Sequence, residues 1–177
     1  MAEELIAADA QLEETSESQK GQFMTFQIGK EFFGINISYI SEIIMMQPIT
    51  AVPDVPDFIK GLINLRGKII PVIDVRVRFD MPPVEYTDRT CIIIINVKSA
   101  TVGLIVEKIA EVANVLHDEI ASLPSLKRYE YSSNKFVYGI ARVDDSVKLL
   151  LDPVKLVQQE EEEPEEELAE EGAEDEE

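Results

Sequence analysis

A mainly β chain, packed as small barrels or a sandwich and interrupted only by short helices, is the fold class that the sequence predicts. β-Branched and aromatic residues gather in short runs, many of them alternating with polar residues as half-buried strands do. Gly, Pro, Asn and Asp punctuate those runs at hairpin spacing. Roughly ten strands result, with no stretch suited to a long crossover helix, and closure of such strands removes aggregation-prone edges. A pair of small barrels fits this pattern.

The first hairpin joins Gln22 to Ile28, where Met24, Phe26 and Ile28 alternate with Thr25 and Gln27, to a return strand in which Phe33, Ile35 and Ile37 alternate with Gly34 and Asn36. Gly29-Lys30-Glu31 makes its turn. Ser38 then stands where it caps a short turn of helix, with Ile40, Ile43 and Ile44 on a common side, before Met45 to Val52 runs out toward two prolines. The segment PDVPDFIKG reads as a loop with one helical turn. In GLINLRGKIIPVIDV two apolar runs flank Arg66-Gly67, a second hairpin whose glycine accepts the positive φ of a tight turn. Pro71 lacks an amide proton, which predicts a sheet edge or a bulge for its strand.

The run TCIIIINV is continuous and apolar, so it is expected to be buried on both faces and to pair with Thr101 to Val106 across the turn at Asn96 to Ala100. Further strands are expected over 111–116, 136–143 and 147–151, then a closing helix with Asp152 as cap and Pro153 at its first position. A hairpin opens both the segment near residue 22 and the one near 90, but the residues show no strict internal repeat.

The 177 residues suit one domain or two small, intimately packed ones, and 45% hydrophobic content supplies a real core. No apolar run reaches the ~18 residues that would span a bilayer. The first residues lack the charged and apolar regions of a secretory signal, and Cys91 alone builds no disulfide framework, so a cytoplasmic location is expected. Of the net charge of −19, the last eighteen residues carry −13 and residues 1–20 carry −5, leaving −1 for the segment between. A nucleic-acid partner needs a positive field that such a balance does not supply. The sequence therefore divides into a flexible segment 1–20, a folded domain 21–157 and a disordered acidic tail 158–177. For the tail, a solubilising role and an acidic lure for a basic partner both remain open.

Catalytic chemistry is hard to seat. His117 is the one histidine and reads as a loop residue, no paired cysteines accompany it, and neither GxxxxGK[ST] nor GxGxxG occurs. Asp144 with Asp145, and Asp54 with Asp57, sit in turn-like segments where Asp bonds its own backbone. Cys91 opens the most apolar strand and reads as core. No metal site and no cofactor are expected. Met45 and Met46 fit a core and an adaptable docking surface equally well.

Taken together, FGINI at 33–37, ISEI at 40–43, FIKGLINLRG at 58–67, IPVID at 70–74 and VGLIV at 102–106 closely resemble the CheW family of bacterial chemotaxis coupling proteins, over about residues 21 to 157. The same domain occurs in the kinase CheA and in CheV adaptors, but this chain has no room for their kinase or receiver modules. The resemblance implies two intertwined five-stranded SH3-like barrels around a shared apolar core. It further implies a non-enzymatic adaptor that binds the regulatory domain of the histidine kinase CheA and the cytoplasmic tips of transmembrane chemoreceptors, at membrane-associated arrays and without inserting in the membrane. Carried over by motif, the receptor-facing residues are Ile37, Ile40, Glu42, Ile43, Gly61, Arg66, Gly103, Ile109 and Val112, and the kinase-facing ones Met46 and Ile49. Arg66 is the leading anchor, since a guanidinium on a hairpin turn offers several donors from a rigid mount, and a bridge to Glu42 that steadies the turn is an equally good reading. The competing class, an oligonucleotide- or sugar-binding barrel, would need exposed stacking aromatics beside basic residues; there is no Trp, and most Phe residues fall in core phase.

Overall fold

Four hairpins supply most of the structure, a computed structural model that describes residues 21–122 and 135–158. β1 (Gln22–Ile28) and β2 (Glu31–Asn36) form the first, followed by a 3-10 turn at Ile37–Tyr39 and the lone strand β3 (Ile40–Met45). β4 (Ile59–Leu65) and β5 (Lys68–Asp74) form the second and lead into helix α1 (Val75–Arg78). β6 (Cys91–Val97) and β7 (Ala100–Val106) form the third, followed by β8 (Lys108–Asn114) and the short β9 (Ile120–Ala121). β10 (Val137–Val143), β11 (Ser146–Leu151) and helix α2 (Pro153–Val157), capped by Asp152 as expected, complete the order. The expected flexible segment 1–20 and the acidic tail after Gln158 lie outside the described residues.

One sheet has the order β8-β1-β2-β11-β10-β9 and the other β3-β6-β7-β5-β4. Both follow one plan. A hairpin (β10-β11, or β4-β5) lies parallel, through its second strand, to the second strand of another hairpin (β1-β2, or β6-β7), whose first strand pairs with a lone edge strand (β8, or β3). Along the chain the plan runs hairpin, edge strand, hairpin, helix, twice, and each half places its first hairpin in one sheet and the remainder in the other. That exchange makes the two bodies intertwined. Pairing register identifies equivalent residues: Gly34 with Gly103, Ile40 with Ile109, Ile43 with Val112, Gly61 with Gly139 and Asp74 with Asp152. What repeats is register and turn position, so residue identity shows no strict repeat.

Each sheet curls toward closure without a continuous ladder. The chain leaving β3 returns at Thr50, which exchanges hydrogen bonds of 2.9 and 2.8 Å with Leu62 of β4; in the other sheet β9 pairs with β10 in the same place. A bulge and a glycine admit the returning segment: Gly61 has φ +143°, and a Cβ there would stand 2.1 Å from the Thr50 carbonyl oxygen. Gly139 marks the matching bulge in β10.

The main core lies between the sheets, where Ile93 and Ile95 of β6 meet Phe26, Phe33, Phe79 and Phe136; Ile92 and Ile94 face a second cluster with Ile63, Ile70, Val72 and Ile105. The isoleucine run is thus buried on both faces, as its composition requires. Arg78 joins the two halves. Its buried guanidinium lies 4.1 Å from the Phe58 ring centroid and 4.7 Å from that of Phe136, donates from Nε to the Leu156 carbonyl at 3.1 Å, and from Nη2 to that of Gln158 at 2.6 Å.

Local expectations needed correction. Asn36, not Ser38, caps the turn after β2, accepting from the Ser38 amide at 2.9 Å, and residues 40–45 form a strand because their β-branched run pairs with β6. Ile40 and Ile44 therefore pack against different clusters instead of sharing a helical side. The 53–61 segment carries turns and then strand, without a helical turn. Pro71 sits on the interior strand β5. It is tolerated there because Leu62, opposite it, spends its hydrogen bonds on Thr50, while the parallel pairing to β7 begins only at Val72. Thr25, placed on a polar face by alternation, is fully buried at a β1/β8 irregularity, where its hydroxyl donates to the Glu111 carbonyl at 2.7 Å and accepts from the Glu111 amide at 3.1 Å.

Candidate partner-docking surface

The two lone edge strands, β3 and β8, carry matching side chains at equivalent positions. Ile40 opposite Ile95 and Ile109 opposite Phe26 are half-buried against the main core. Ile43 and Val112, one step further from it, are 37% and 48% exposed. Between them stand Glu42 and Glu111. An edge strand also leaves backbone donors and acceptors open, so each edge offers apolar and polar contact together. Ile37 lies half-buried in the turn that leads into β3.

Each glutamate has a cation nearby, but the cations differ. Arg66 sits in the β4-β5 turn with φ +52°, and the Gly67 amide donates to Asn64 Oδ1 at 2.8 Å, which fixes the turn. Its guanidinium meets the Glu42 carboxylate, with the Arg66 side chain 72% exposed. In the other half Lys148 lies over the Phe32 ring at 4.0 Å, with its ammonium 4.0 Å from Glu111 Oε1. Lys148 is buried and belongs to the packing; Arg66 projects from it. The Arg66–Glu42 pair, being exposed, contributes no more than about 1 kcal/mol to stability.

Not every residue carried over by motif reaches this surface. Gly61 is buried under Thr50, and Gly103 lies in the core, where a Cβ would stand 2.7 Å from Val72 Cγ1 and 2.8 Å from Ile92 Cγ2. Both glycines permit close backbone approach and lie beneath this surface instead of on it. Met46 and Ile49 are half-buried and pack against the second cluster. Met45, by contrast, is 73% exposed at the start of the partner strand β6, opposite Cys91. Thus the two methionines that the sequence left undecided divide between surface and core. Burial pushes the Cys91 thiol up, which keeps it protonated.

Sequence reading missed two exposed apolar side chains in equivalent hairpins, Ile69 and Val147. For Ile69 the alternation set by Ile70 and Val72 carried the signal; Val147 gave none, because the residue in the buried phase beside it is Lys148. Among the described residues, no group of three or more His, Cys, Asp or Glu is placed to hold a metal ion, and no helix is long and apolar enough to cross a membrane.

Residues 22–161 match the family model described as the CheW-like domain. The chemotaxis protein CheW of Klebsiella aerogenes is 32% identical over 140 residues, covering 79% of this chain and 83% of that protein. That of Bacillus subtilis is 40% identical over 111 residues, 62% of this chain and 71% of that protein. Among solved structures, the scaffolding protein TtCheW from Thermoanaerobacter tengcongensis superposes with a TM-score of 0.70 at 32% identity, over 79% of this chain and 89% of that one.

Proposed function

The chain belongs to the CheW-like domain family, a family of chemotaxis scaffold proteins, and from that premise we propose that it couples the cytoplasmic tips of chemoreceptors to the regulatory domain of the histidine kinase CheA. It acts without catalysis, in the cytoplasm at receptor arrays, and residues 21–157 are the coupling unit with both ends as appendages. The observation that carries this reading is the matched pair of edge strands, each offering a half-buried isoleucine, an exposed aliphatic side chain and a glutamate.

In this reading the receptor tip contacts Ile37, Ile40, Glu42, Ile43, Arg66, Ile109 and Val112, with apolar contacts supplying affinity and the Arg66–Glu42 pair fixing register. Gly61 and Gly103 shape the strands beneath. Kinase contact centres on the 45–49 segment, where Met45 reaches outward and Met46 and Ile49 hold the backbone against the core.

Arg66→Ala is expected to weaken capture by an immobilised receptor-tip fragment about tenfold while moving the urea unfolding midpoint little, because the pair is exposed. Unchanged capture would remove Arg66 from the interface. Ile43→Asp and Val112→Asp, each at an exposed edge position, are expected to reduce capture by roughly tenfold or more with near-normal stability. If the kinase regulatory domain is not retained by the unsubstituted protein in pull-down, the coupling role itself fails.

A further inference from the structure

The duplicated plan places two aspartates in equivalent positions, capped alike but covered differently. Asp74 and Asp152 each follow the second hairpin of a half, and their amides donate to the equivalent carbonyls of Phe58 and Phe136, both at 2.8 Å. Each uses Oδ1 to accept from the next turn: from the Arg76 and Val77 amides at 3.0 and 3.3 Å, and from the Val154 and Lys155 amides at 2.9 and 3.4 Å. Asp74 Oδ2 then accepts from the Tyr86 hydroxyl at 2.8 Å. Asp152 Oδ2 has no hydrogen-bond partner among the described residues.

In the first half the loop between α1 and β6 covers the aspartate, held down by Tyr86 and by Arg76, whose Nε donates to the Pro82 carbonyl and whose Nη1 meets Glu107 at 2.7 Å. In the second half Arg76 and Glu107 are replaced by Val154 and Ser38, and the equivalent space is an open pocket of about 370 Å³ lined by these two, Tyr39, Tyr138, Leu151 and Asp152. Two aromatic rings and a solvent-accessible carboxylate oxygen thus line, among the described residues, the counterpart of a seat that a tyrosine fills in the other half. Burial, with Tyr39 and Asp152 close by, also pushes the Tyr138 phenol up, so Tyr138 stays protonated.

We infer that the Asp152 pocket is a docking site for a tyrosine side chain of a partner protein, its ring between Tyr39 and Tyr138 and its hydroxyl donating to Asp152 Oδ2. A phenol supplies both requirements, an apolar body and one neutral donor. The chain's own continuation does not: residues 159–177 contain no tyrosine and are strongly acidic, which opposes approach to a carboxylate. The inference does not depend on the coupling role, because it rests on the duplicated geometry.

The test is an NMR titration of the full chain with N-acetyl-tyrosinamide, with N-acetyl-phenylalaninamide and N-acetyl-argininamide in parallel. Saturable shifts at the amides of Ser38, Tyr39, Val154 and Lys155 are expected with the tyrosine probe, and about tenfold weaker binding with the phenylalanine probe, the worth of one hydrogen bond to a charged acceptor. Asp152→Ser keeps a capping oxygen and the fold but removes Oδ2, so it is expected to abolish the preference for tyrosine. Equal binding of the tyrosine and phenylalanine probes, binding of the arginine probe alone, or no shift with any probe overturns the proposal. So does a Tyr129→Phe, Tyr131→Phe double variant that takes up the probe when the unsubstituted chain does not, since the pocket would then be filled from within.

Discussion

Gly61→Ala is expected to lower stability by roughly 3–4 kcal/mol in urea titration, because the added methyl group would meet its neighbours more closely than at any other described glycine. Two costs combine. At φ +143° an L side chain is strained, and the new Cβ would stand 2.1 Å from the Thr50 carbonyl oxygen, which is itself bonded to the Leu62 amide at 2.8 Å. Backbone on both sides cannot yield without opening the seam between β4 and the chain leaving β3. Gly67→Ala is the control: its φ is +83°, but nothing lies within 4 Å of the added carbon, so about 1 kcal/mol is expected. A Gly61→Ala protein with an unchanged midpoint but lost receptor capture would reverse the assignment and return Gly61 to the contact surface.

Arg78→Met is expected to cost about 3 kcal/mol, and Arg78→Lys not to restore it. Methionine keeps much of the apolar stem but leaves the Leu156 and Gln158 carbonyls without their cationic donor. Lysine keeps the charge, yet its ammonium lacks the planar fork that lies between Phe58 and Phe136 while bonding two carbonyls. The reading is chemical denaturation with hydrogen exchange of α2 amides, which should open well before the sheets. Exchange that stays uniform across the protein, or a lysine variant as stable as the parent, would show that Arg78 does not join the halves.

Much of the fold was legible because its signals are local. Alternation and turn residues located the hairpins; the unbroken isoleucines of β6 announced burial on both faces; Asp152-Pro153 marked the start of α2. Errors arose where a long-range neighbour overrode local preference. Pro71 entered an interior strand because Thr50 takes the bonds of Leu62. Thr25 left its polar phase because it fills an irregularity against β8. At the proposed docking surface, motif alone listed glycines and isoleucines together, and only packing separated Ile43 and Val112, which are exposed, from Gly61 and Gly103, which let backbones approach.

By itself the sequence determined a mainly β chain of short hairpins, nearly neutral between two acidic ends, with the motifs of one adaptor family. Those properties reside in neighbouring residues, in periods of two and in turns of a few positions. Tertiary structure decided which hairpin joins which sheet, that the two halves exchange strands, and that a tyrosine covers one of two equivalent aspartates while, among the described residues, none covers the other. Register between distant strands sets those outcomes, and it depends on contacts between residues far apart in the chain, which no local pattern encodes.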